Sequence, residues 1–121
     1  MAALVSCLTN SYGRFGPVAA IENIRDAGLE FLELSIKTHG VPSHFKETPL
    51  LTNASTPSDL DRVKDLLNQH QVQLSSCNIT SGNPLDPEIV LITKQKLDLA
   101  HQLGVSLVVG GAGEIEQESQ R

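Results

Sequence analysis

Phe31-Leu32-Glu33-Leu34-Ser35-Ile36 is the stretch on which the fold turns. Leu32, Leu34 and Ile36 alternate with Glu33 and Ser35, so a strand here has one apolar and one polar face. Helical patterns flank it in the chain, and alternating strands and helices build a parallel sheet. In an open sheet covered by helices on both faces, a glutamate at mid-strand is costly. In a barrel, the inward face opens at its C-terminal end onto a site where a carboxylate is useful. The alternation favours a barrel.

Upstream, residues 4–9 read as a short apolar strand, and a turn over 10–16 follows. Pro17 opens the first helix, where a missing N–H costs nothing. Val18, Ile21 and Ile24 recur at helical spacing as its apolar stripe, and Gly28 ends it as a left-handed cap. Downstream, residues 37–55 form a long connection, of a length that is often functional. Thr56-Pro57-Ser58-Asp59 caps the second helix, whose stripe is Leu60, Val63 and Leu67. Residues 73–79 make the third strand. Asp86-Pro87-Glu88 opens a third helix, with Val90, Leu97 and Ala100 as its expected buried side and Gly104 as its stop. A fourth strand, 105–109, runs into Gly110-Gly111-Ala112-Gly113-Glu114, with no apolar helix after it. The expectation is a single partial domain over 1–121, the first half of something larger, truncated at its C-terminus.

The composition is that of a globular chain: 121 residues, 40% hydrophobic and 19% charged. A net charge of −5 with no cluster of Lys and Arg argues against nucleic acid or a membrane surface as partner. Aromatics are scarce, which argues against base-stacking platforms. No stretch reaches membrane-span length, and residues 2–5 are too short for a signal peptide. Cys7 and Cys77 fall in the first and third strands. Two strand spacings, about 9.6 Å, exceed the roughly 7 Å reach of a disulfide. Both thiols are therefore read as reduced, in a cytoplasmic protein.

Ala27-Gly28-Leu29-Glu30-Phe31-Leu32-Glu33-Leu34 resembles a segment of the sugar phosphate isomerase/epimerases, which are xylose-isomerase-like TIM barrels. The stretch from Lys96 to Val105, with Ala100, Leu103 and Gly104, is similar to that family's approach to its fourth strand. The resemblance spans nearly the whole chain but only strands one to four of eight. It implies an α/β fold, the first half of a (β/α)8 barrel. It implies a divalent metal (Mn, Mg, Co or Zn) for the full-length family, held by residues of strands five to eight. No metal ligand and no metal are expected of this chain alone. The implied activity is metal-dependent proton transfer between adjacent carbons of a sugar or sugar phosphate, with the isolated chain inactive. The alternative is a non-enzymatic half-barrel, a binding or structural module that self-associates as a homo-oligomer through exposed strand edges.

The expected substrate contacts are Glu33, His39, Asn78 and Glu114, while the catalytic residues stay unassigned. Glu33 would line a barrel mouth, or else pair structurally with Lys37 or Arg14. His39 and His44 lie in the long connection, with no carboxylate set to make a metal site. Asn78 could bond a substrate or cap its strand. The glycines at 110, 111 and 113 match no phosphate-loop fingerprint, and Glu114 beside them would repel an anion.

Overall fold

The computed structural model describes residues 3–111. It is an α/β structure built on a parallel sheet. The elements are β1 (Ser6–Leu8), α1 (Gly16–Asn23), β2 (Phe31–Lys37), β3 (Leu51–Thr52), α2 (Pro57–His70), β4 (Gln73–Asn78), α3 (Pro87–Gln102) and β5 (Val108–Val109). A 3-10 segment, Thr9–Phe15, joins β1 to α1, and a second, Ile24–Ala27, extends α1. Among the described residues, no helix is long and apolar enough to cross a membrane.

The helix boundaries follow the capping chemistry. Thr56 and Asp59 make a reciprocal capping box at the start of α2, with Asp59 N–H donating to Thr56 Oγ1 and Thr56 N–H donating to Asp59 Oδ2. The Thr56 N–H first, and then the Thr56 hydroxyl, which also donates to Asp59 Oδ2, hold the Asp59 carboxyl below its ordinary range. Asp86 accepts from Glu88 N–H at the start of α3, where Pro87 costs no hydrogen bond. Gly28 ends the α1 extension at φ 85°, the left-handed geometry that its missing Cβ permits.

The main strands follow one another in the order β1-β2-β4-β5, and every pairing is parallel. The order runs without the reversal that creates a switch point in doubly wound sheets. Each connection steps the same way along the sheet, and such crossovers are right-handed. All three helices therefore fall on one face, and one cluster joins them to that face. Ala20, Ile21 and Ile24, Leu60, Val63 and Leu67, and Leu99 and Ala100 pack with Leu32, Leu34, Ile36 and Cys77. Each buried leucine or isoleucine contributes about 1.5–3 kcal/mol.

Three expectations need correction. Val18, Val90 and Leu97 are exposed, and the inward positions are Ala20 on α1 and Lys96, Leu99 and Ala100 on α3. Helix α3 is apolar at 89–92, 97, 99 and 100, nearly all round, so its pattern does not fix its phase. The long connection is not wholly a loop, because Leu51–Thr52 pairs with the end of β2. The fourth strand of the sequence reading is only two residues long in β5. Val105 N–H instead donates to Ala100 O and closes α3.

Candidate functional site

The face of β2 turned away from the helices carries Glu33, Ser35 and Lys37. Its neighbour β4 brings Ser76 and Asn78 to the same face, and this depends on one irregularity. Leu32 pairs with Leu74, but Glu33 pairs with Ser76, so Ser75 is skipped as a β-bulge. Leu34 then pairs with Cys77 and Ser35 with Asn78. Without the bulge, Cys77 would turn to the polar face and Ser76 into the apolar core. Ser76 Oγ donates to Glu33 Oε1 at 2.8 Å, and Ser75 Oγ donates to Leu32 O at 3.3 Å. Neither Lys37 nor Arg14 is the partner of Glu33. Lys37 Nζ donates instead to Asn10 Oδ1 at 2.9 Å.

Cys77 lies on the opposite, helix side of β4 and is fully buried. Burial first, and the Glu33 charge second, push its thiol up to about 12, which leaves it un-ionised and unreactive. Cys7 and Cys77 are unpaired.

The C-terminal edge of the sheet, where parallel α/β folds bind ligands, is tied together by polar side chains. Thr9 Oγ1 accepts from Ser35 N–H beyond the end of β1. Asn53 joins three elements: its N–H donates to Lys37 O, its Oδ1 accepts from His39 N–H, and its Nδ2 donates to Gln95 Oε1. Asn78 Oδ1 accepts from Thr80 N–H at 3.0 Å, which makes it a strand-end cap. His39 is exposed, and only its backbone joins this network. Glu33 and Asn78 thus share one sheet face, and His39 stands apart from them. Glu114 lies outside the described residues.

Sequence reasoning missed Lys96. It sits on the inward face of α3, has no solvent exposure, and reaches across to the ends of two strands. Its Nζ donates to Thr38 Oγ1 and to Thr80 O, each at 3.0 Å. No carboxylate pairs with it among these contacts. Burial, and then the Lys37 charge, draw its ammonium down to about 8. A signal was present, since positions 92, 96, 99, 100 and 103 form one helical stripe with a lysine inside it.

Among the described residues, no three His, Cys, Asp or Glu come together as a set that could hold a metal ion. No family model and no curated protein matches this chain.

Lys96 has a measurable consequence. Its folded pKa lies below the ordinary 10.5, so between about pH 8 and 10.5 the unfolded chain binds more protons than the folded one. Stability therefore rises with pH across that window. Lys96→Met should stabilise the fold at pH 7 by about 1–3 kcal/mol and remove this rise, because it replaces a buried, unpaired charge with an apolar chain of similar length. Urea unfolding of both proteins at pH 7 and pH 10 measures the difference. A destabilised variant with an unchanged pH profile would contradict the assignment.

Proposed function

We propose that this chain is the substrate-side half of a sugar or sugar-phosphate isomerase/epimerase-type protein, with its strands forming part of a (β/α)8 barrel. One observation carries the reading. The sheet winds in a single direction with its helices on one face, and its other face is polar at Glu33, Ser35, Ser76 and Asn78. Four such strands correspond to half of an eight-stranded barrel, whose inner face and C-terminal mouth form the ligand site. The resemblance of the segments 27–34 and 96–105 supports the same family.

The metal implied by that family finds no ligand set among the described residues, and no chemical step is assigned through one. The role given to this chain is contact with a polyhydroxylated substrate. Glu33 accepts from a sugar hydroxyl while Ser76 holds the other side of the carboxylate. The unpaired thiols fit a cytoplasmic setting. Amide-shift NMR of the isotope-labelled chain, titrated with a panel of aldoses, ketoses and their phosphates, tests the proposal. Saturable shifts are expected at Glu33, Ser35, Ser76 and Asn78, weakened about tenfold in Glu33→Gln, the equivalent of one charge-assisted hydrogen bond. Shifts confined to other surfaces, or unaltered in Glu33→Gln, would refute it.

A second reading rests on a different observation. Leu4 and Val5 beside β1, and Leu107 and Val109 at β5, expose apolar side chains on both outer edges of the described sheet. Unpaired parallel edges of this kind invite association with another copy. Sedimentation should give a dimer at micromolar concentration that dissociates when Leu107 and Val109 are both changed to Lys. A monomer at all concentrations would rule this reading out.

A further inference from the structure

We propose that a second site lies between the β1–α1 turn and the long connection, and that it binds the phosphate group of a small soluble ligand. It adjoins the polar face of β2, whose Lys37 also lines it. The two walls are fitted to one another. The Phe45 ring lies against Gly13, where an added Cβ would sit 3.3 Å from ring carbon Cε2. Gly13 has φ 55°, and Gly16, at φ 81°, lies beside Glu47 in the same way, with space for a Cβ only 3.7 Å from the Glu47 Cβ. His44 packs edge-on against Phe45 with ring centroids 4.8 Å apart, and Ser43 Oγ donates to Glu47 Oε2.

This seam leaves a cleft of about 370 Å³ lined by Arg14, Phe15, Gly16, Pro17, Lys46 and Glu47. A neighbouring cleft of about 170 Å³ shares Lys46 and Glu47 and adds Lys37. Three of the chain's nine basic residues therefore line two adjoining clefts that share one carboxylate, in a protein of net charge −5. The Ser43 hydroxyl, chiefly, and then its own N–H and the Lys37 and His44 charges, hold the Glu47 carboxyl below its ordinary range against the opposing effect of burial. With Arg14, Lys37 and Lys46 against Glu47, the clefts carry two net positive charges. That matches a phosphate monoester near neutral pH, which carries about −1.5 to −2. Arg14 offers the planar fork suited to phosphate oxygens, and Lys46 a point charge. Glu47 is left to accept from a hydroxyl on the ligand's neutral part.

The test titrates the labelled chain with inorganic phosphate at constant ionic strength and follows its amide shifts. Saturable shifts at Arg14, Gly16, Lys46 and Glu47 are expected. Arg14→Gln combined with Lys46→Gly should weaken binding at least tenfold. Glycine suits position 46, where Lys46 has φ 56°. Lys64→Gln, on the exposed side of α2, should bind as the parent does. If the double variant loses its dispersed spectrum, Arg14→Gln alone should still weaken binding at least threefold. A linear drift reproduced by sodium chloride, or an unchanged midpoint in the Arg14 variants, would overturn the proposal.

Discussion

The skipped residue Ser75 is the constraint on which the two faces of this sheet depend. Strand β4 must place Leu74 and Cys77 toward the helices, and those positions are three apart, an odd spacing that a regular strand cannot serve. The bulge absorbs the extra residue. Past it, Cys77 faces the core beside Leu34, while Ser76 and Asn78 join Glu33 and Ser35 on the polar face. The arrangement has an energetic logic. A core cysteine behaves as a small hydrophobe, whereas the Ser76 hydroxyl in the same place costs free energy without a partner. The Ser76–Glu33 hydrogen bond that results joins the side chains of β2 and β4 on that face.

At the C-terminal edge, packing gives way to polar stitching. The strands there are short, and β5 has only two residues, so ladder hydrogen bonds alone hold that edge weakly. Asn53, Thr9 and Lys96 supply the missing links between β2, β3, β4 and α3. Lys96 is the costly member, because its ammonium is fully buried and has two oxygens but no counter-charge. In return it ties the segment after β2 to the segment after β4 through Thr38 and Thr80. The ends so fixed border the face on which Glu33 stands.

Local chemistry was legible in the sequence, and long-range pairing was not. The Thr56–Asp59 capping box, the Asp86-Pro87 start and the Gly28 stop all act within a few residues. The alternation of β2 likewise declared its faces, with Leu32, Leu34 and Ile36 all buried. The bulge was invisible because Ser75 and Ser76 are identical residues, and only the partner strand decides which of them faces Glu33. The phase of α3 is not legible because its apolar residues surround it, and Lys96 stands among them on the buried side. Asn78 and His39 were placed at the correct edge, but their hydrogen bonds give Asn78 a capping role and leave the His39 ring exposed. Glu33 lies on the polar face that the alternation implies, while its hydrogen-bond partner Ser76 lies 43 residues away in sequence.

The register around Ser75 can be measured directly by cross-strand nuclear Overhauser effects in the labelled chain. Contacts linking Leu32 to Leu74, Glu33 to Ser76 and Leu34 to Cys77 are predicted, together with Cys7 to Leu32 and Cys77 to Val108 on the flanking strands. An unbroken register, with Glu33 opposite Ser75 and Ser35 opposite Cys77, would contradict the division of the sheet into a helix-covered apolar face and a polar face.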